Sequence, residues 1–205
     1  NTAFKIRRCL TPIDLSEYGS LLDEQISVAG YTEKTTLELT GMTNAPISYW
    51  NITQVPQGGI VRIGVKGNEP AVVEYIGNSR ESVHQAVDGY SPVSFAGEEQ
   101  FKIGVPAEDS SGSISYLLAD SETPRLLVRM FDIDCDAEYT DVPPDGRPGK
   151  PCPVQLYFGA DTYDFGELEY HSPAVKGNSI SGSSKLIAFT GPASKLEAIS
   201  CLLNR

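Results

Sequence analysis

Two carboxylates and an imidazole fall at alternate positions in Phe165-Gly-Glu-Leu-Glu-Tyr-His-Ser-Pro173. In an extended chain successive side chains point to opposite faces, so Glu167, Glu169 and His171 share one face while Leu168 and Tyr170 take the other. A carboxylate that accepts a proton beside an imidazole that can give one is the composition general acid–base catalysis needs. A solvent-facing strand of an acidic protein carries the same pattern, so both readings stand at this point.

Other residues offer ligand chemistry. Asp132, Asp134, Asp136 and Glu138 alternate and, as a strand, would line one face and repel one another. A bound Ca²⁺, held by oxygens at about 2.3 to 2.6 Å, would relieve that repulsion; a solvated acidic loop would do so as well. The run lacks the glycine and the distal glutamate of an EF-hand. Cys135 and Cys152 flank a Pro/Gly-rich loop from Val142 to Pro153. A disulfide there would contribute on the order of 3 kcal/mol through loop closure, whereas the alternative is that all the cysteines are buried thiols. Trp50 with Tyr49 can stack on the apolar face of a sugar ring or serve as a core aromatic at a strand end. Asn51 can bond hydroxyls or close a turn. Arg129, with Arg62 and Arg125, can fork onto the carboxylate of an anionic sugar or carry surface charge. His84 sits among polar residues in a loop. Serine-hydrolase, zincin and nucleotide-binding motifs are absent from the sequence.

These residues must be positioned by strands. Short apolar-alternating runs recur along the chain, among them Phe4–Leu10, Gln25–Tyr31, Thr35–Thr40, Ile47–Ile52, Ile60–Val65, Ala71–Ile76, Phe101–Val105, Ser113–Leu118, Pro124–Phe131, Val154–Phe158 and Lys185–Phe189. Gln57-Gly-Gly59 reads as a hairpin turn, and the succession reads as an antiparallel meander. Asp14–Leu22 reads as one or two helical turns capped by Asp14, and Ser194-Lys-Leu-Glu197 has the spacing of a capping box opening a C-terminal helix. With no repeat, linker or low-complexity tract, residues 1–205 are expected to form a single all-β domain, a sandwich of roughly twelve strands with a short C-terminal helix.

The net charge of -11 and pI near 4.6 oppose binding to a phosphate backbone, so nucleic acid is not an expected partner. The charge suits neutral ligands such as sugars, or Ca²⁺. No run of about 18 apolar residues would span a membrane. The chain begins with Asn1 rather than Met, from which removal of a signal peptide, tag or upstream segment is expected.

The segment Asn44-Ala-Pro-Ile-Ser-Tyr-Trp-Asn-Ile52, preceded by Thr36-Leu-Glu-Leu-Thr40, resembles the motif strand of the aldose 1-epimerase (galactose mutarotase) superfamily. Glu167-Leu-Glu-Tyr-His-Ser-Pro173 is similar to the late strand that carries the family's catalytic glutamate, with Glu169 at the matching place; uncharacterised bacterial members are nearest in outline. The resemblance implies a large twisted antiparallel β sandwich of the mutarotase type, N-terminally shortened or reduced, with a cleft for a sugar. It implies Glu169 as general base. His171, two residues on along the same face, would stand in as acid, which departs from the family arrangement, and Trp50, Asn51, Tyr49, Glu167 and Arg129 are by their own chemistry the residues expected around a carbohydrate. Ile47 stands where the family motif has a histidine.

The expected functions are therefore a secreted or periplasmic carbohydrate-handling domain, either an epimerase-like isomerase or a sugar binder without turnover, needing no cofactor beyond a possible Ca²⁺. The alternatives are a non-catalytic β-sandwich structural or interaction domain of the cell envelope, and a glycosidase using Glu167 or Glu169 with an aspartate.

Overall fold

The computed structural model describes residues 3–41, 45–79, 82–144, 147 and 149–203. Twelve strands run through them. β1 (Phe4–Pro12) and β2 (Ser27–Leu39) are joined through a 3-10 helix, Leu15–Leu21, whose cap is Asp14 accepting the Ser16 amide. Then come β3 (Trp50–Pro56), β4 (Ile60–Val65), β5 (Val73–Ile76), β6 (Tyr90–Ser94), β7 (Phe101–Val105), β8 (Ser110–Leu118) and β9 (Arg125–Phe131). β10 (Val154–Phe158), β11 (Phe165–His171) and β12 (Ser179–Thr190) follow, and helix α1 (Ala193–Leu203) ends the described chain.

The strands form two antiparallel sheets, in the orders β1-β2-β12-β9-β8-β4-β6 and β3-β11-β10-β7-β5. The architecture is thus an all-β sandwich with one short C-terminal helix. It is not a meander, because successive strands repeatedly change sheet. The Gln57–Gly59 turn accordingly does not close a hairpin: β3 and β4 lie in different sheets. The chain crosses there directly over Tyr116, whose ring would lie 2.2 Å from a Cβ at position 59, so glycine is the residue that fits.

Between the sheets, Val61, Ile63, Ile114, Tyr116 and Phe131 meet Val55, Leu168, Tyr170, Leu156 and Ile103. Phe95, Phe101 and Phe158 pack as an aromatic group, Phe95 on Phe158 at 5.4 Å between ring centroids. A second core lies on the other face of the seven-stranded sheet, where Leu117, Leu126, Val128, Ile187 and Phe189 receive Leu196 and Ile199 of α1 and Tyr18 of the 3-10 helix. This second layer explains why β9 reads as an almost unbroken apolar run: its central residues are covered on both faces. It also relocates Arg62, which is buried beneath α1 and bonds Glu197 and Ser200 rather than facing a ligand.

The strands expected at Gln25–Tyr31 and Thr35–Thr40 are one thirteen-residue strand, β2. The apparent break comes from Glu33, a charged residue whose side chain points into the sandwich and is only 2% exposed.

Candidate functional site

Glu169 and His171 do project from one face of β11, on the side of the five-stranded sheet that faces away from the sandwich core. Register places Glu169 opposite Gln155 of β10 and Ile52 of β3, and His171 opposite Trp50. At these two positions the face is closed to solvent: Glu169 is 0% exposed and His171 is 5% exposed. Asp141 and Cys152, from the chain between β9 and β10, pack against it. Tyr75 Oη donates to the Asp141 carbonyl at 2.9 Å and accepts the Cys152 amide at 3.1 Å. Gln155 Nε2 donates to Asp141 Oδ2 and to the Cys152 carbonyl. The close approach depends on Gly104, where a Cβ would sit 2.6 Å from the Cys152 Cβ.

Lys102 of β7 completes the cluster. Its Nζ lies 2.8 Å from Glu169 Oε2 and 4.0 Å from Asp141 Oδ2, and over the rings of Trp50 and Tyr75 at 5.0 and 5.7 Å. His171 Nε2 approaches the same Glu169 oxygen at 3.3 Å, and the imidazole stacks on Trp50 at 5.5 Å. Lys102 and His171 therefore converge on one oxygen of Glu169, so the carboxylate and the imidazole are turned toward each other, whereas acid–base work on a sugar needs each group on its own substrate oxygen. Glu169 Oε1 and the neighbouring Gln155 Oε1 are buried without a hydrogen-bond partner among the described residues. Glu167, further along the same face, accepts a hydrogen bond from Gln54 at 3.1 Å.

The remaining residues expected around a sugar lie on the opposite side of the sheet. Asn51 follows Trp50 in β3 and so points inward, where its Nδ2 donates to Glu33 Oε1 at 2.9 Å. Arg129 is 1% exposed; its guanidinium lies 3.6 Å from Glu33, donates to Thr53 at 2.7 Å and to Ser184 at 3.2 Å. Arg8 of β1 grips Glu33 with both Nε and Nη2, at 3.0 and 2.8 Å, and Thr35 donates to it at 2.8 Å. Burial acts to raise the Glu33 carboxyl, but the hydrogen bonds from Arg8 and Thr35 and the charges of Arg8 and Arg129 outweigh it and hold the group below its ordinary value. Burial lowers the Arg129 guanidinium, opposed by Glu33. Tyr49 meets Tyr170 edge to face at 6.2 Å, and burial pushes both phenols up. The residues expected to bind one substrate are thus divided by the five-stranded sheet: Glu169, His171, Trp50 and Glu167 on one side, and Arg129, Asn51 and Tyr49 on the other.

The acidic run is not a strand. After β9 ends at Phe131, Asp134 Oδ1 accepts the Asp136 amide and the Asp134 carbonyl accepts the Ala137 amide, which turns the chain and splays Asp132, Asp134, Asp136 and Glu138. Among the described residues no cluster of His, Cys, Asp and Glu is arranged to hold a metal ion. Cys135 and Cys152 are free thiols: Cys135 is exposed beside Lys66 at 3.5 Å, while Cys152 is buried with its thiol pushed up to about 12, chiefly by burial. His84 is exposed. Asn44, which opens the first motif, lies outside the described residues.

The structure adds Lys102, Gln155, Asp141 and Glu33 to the residues singled out from sequence. Lys102 carries a weak signal, as the one charged residue in Phe101-Lys-Ile-Gly-Val105. Glu33 carried none that separates it from a surface charge.

One feature of the surface stands apart. β1 and β3 are the terminal strands of their sheets, and the mouth between them holds a cavity of about 320 Å³ lined by Ile6, Arg8, Glu33, Thr35, Tyr49, Trp50, Asn51 and Ile52. Every residue of β1 is exposed. Of the lining residues, Ile6, Trp50 and Ile52 are 49, 52 and 38% exposed, and elsewhere on β1 Phe4 and Leu10 are 58 and 57% exposed. No family model, curated protein or solved structure matches the chain. Among the described residues no helix is long and apolar enough to cross a membrane.

Proposed function

We propose that this chain is a non-catalytic β-sandwich module that binds other protein chains through its open edge at β1. The observation that carries this reading is the mismatch along β1: Phe4, Ile6 and Leu10 alternate as in a half-buried strand, yet each is about half exposed or more. A nine-residue edge strand with unpaired main-chain groups and exposed apolar side chains is a template for another strand, and the charges of Lys5 and Arg7 on its other face restrict which strands it admits. The burial of Glu169 against Lys102 supports the same reading, since the best acid–base constellation is held as an ion pair beneath a covering segment.

The test is hydrogen exchange of the β1 amides with and without extended probe peptides, alongside a Phe4→Lys/Ile6→Lys variant. Added protection confined to β1 in the wild type, and lost in the variant, is the expected result. No protection by any extended probe would end this reading.

A second reading, carbohydrate handling, draws on the cavity at the mouth, where Trp50 stands at the rim and Asn51, Tyr49 and Glu33 offer hydrogen-bonding groups. Binding of neutral and acidic sugars followed by Trp50 fluorescence tests it, with anomerisation by NMR as the readout of turnover. Quenching that vanishes in Asn51→Ala would support it, and a flat titration would remove it.

A further inference from the structure

β1 is a positive strand in a negative protein. The chain has 16 Lys and Arg against 27 Asp and Glu, yet Phe4-Lys-Ile-Arg-Arg-Cys-Leu-Thr-Pro12 holds Lys5, Arg7 and Arg8 and no acid. Pairing with β2 settles which way each points. Arg8 lies opposite the buried Thr35 and is committed to Glu33; Phe4, Ile6 and Leu10 share its face, opposite Leu39, Leu37 and Glu33. Lys5 and Arg7 project from the other face, opposite Glu38 and Thr36. Neither forms an ion pair within 4 Å among the described residues, so both charges are available to a partner.

We infer that the partner added at β1 is an extended segment in which acidic residues alternate with apolar ones, and this inference rests on the open-edge reading above. In a strand laid beside β1, side chains on one face meet Lys5 and Arg7, and those on the other meet Phe4, Ile6 and Leu10. Directly opposed opposite charges stabilise a strand pair and like charges destabilise it, so the first set is Asp or Glu. The second set is apolar, because it covers surface that is now wet. A second copy of β1 fits less well: it would bring a second set of uncompensated cations to this edge, on a body of net charge -11 that repels its own copies.

The probe is a nine-residue peptide alternating Glu with Val between Ser-Gly ends, compared with the same peptide bearing Lys for Glu and with one bearing Ser. Binding is read by fluorescence anisotropy at low and raised salt, and its location by exchange protection of the β1 amides. The acidic peptide should bind β1 about tenfold more tightly than the Ser peptide, with the advantage shrinking as salt screens it. Lys5→Glu/Arg7→Glu, substitutions at exposed positions that leave both cores intact, should reverse the order and favour the Lys peptide. If the three peptides protect β1 equally, or the double substitution leaves the order unchanged, the acidic partner is refuted while the open edge stands. If none protects β1, both fall. Concentration-dependent sedimentation of the chain alone, abolished by the double substitution, would instead show a second copy as the occupant and overturn the inference.

Discussion

Replacing Lys102 by Met separates a structural ion pair from a catalytic one. Met keeps most of the stem that packs over Trp50 and Tyr75 but removes the ammonium 2.8 Å from Glu169, a side chain that is 1% exposed. Deleting one partner of a buried pair costs roughly 3–5 kcal/mol, since the other charge is stranded away from water. Lys102 retains 13% of its side-chain exposure, so water can partly replace it and the lower figure, about 3 kcal/mol, is expected. For a chain of this size each kcal/mol moves the melting midpoint by about 2–4 °C, giving a fall of roughly 6–12 °C. Glu169→Gln should cost less, because the stranded ammonium still has Asp141 at 4.0 Å. The double variant Lys102→Met/Glu169→Gln should recover much of the loss, as no uncompensated charge is left. Urea and thermal melts of the four proteins close the cycle. A loss below about 1 kcal/mol for Lys102→Met, with no coupling to Glu169, would place this pair among ordinary exposed ones and refute the argument.

Three further outcomes follow from the same geometry. Glu33 has a folded-state pKa held below its unfolded value, so its contribution to stability is full above the unfolded pKa, about 4.3, and is lost as pH falls through the folded pKa; urea midpoints across the acid range should show this limb and Glu33→Gln should flatten it. Gly104→Ala, whose Cβ would press on Cys152 and on the Tyr75 ring at 2.6 and 2.9 Å, should destabilise by about 1–3 kcal/mol and raise exchange of the Cys152 amide. A thiol reagent applied to the folded protein at neutral pH should label the exposed Cys9 and Cys135 and spare Cys152, whose buried thiol is held protonated; labelling of Cys152 at the rate of the other two would contradict the packing.

Strand positions were legible at β4, β7, β10 and β11 from alternating apolar residues, even though burial there is nearly continuous because further chain covers the second face. The sheet each strand joins was not, since a Gly-Gly turn looks the same whether it closes a hairpin or carries the chain across the sandwich. Buried charge defeated the pattern too. Glu33 reads as a break in β2 because its partners Arg8, Asn51 and Arg129 lie on other strands, 25 residues away in the case of Arg8. The shared face of Glu167, Glu169 and His171 was correct as geometry, but alternation says nothing of what lies on top of a face. Lys102 and the residues around Asp141 and Cys152 arrive from distant sequence, and they turn an outward-facing carboxylate into a buried one.

The same distinction between face and cover bears on β1 in the opposite sense. Its alternation is that of a strand with one side packed, and the sequence is consistent with this at every level except exposure: Phe4, Ile6 and Leu10 share a face with the buried Leu37, but the five-stranded sheet ends at β3 before reaching them. Arg8 and Glu33 fix that overhanging strand to the polar interior with a two-bonded ion pair, so the apolar stripe is held in place. Holding uncovered apolar surface rigid is costly for a free protein and useful for one that meets a partner, because the ordering entropy has been spent before the encounter. A Glu33→Gln variant that leaves one hydrogen bond where there were two should therefore weaken strand addition at β1 even where the fold survives, and equal affinity in the two proteins would show that the edge owes nothing to the buried pair.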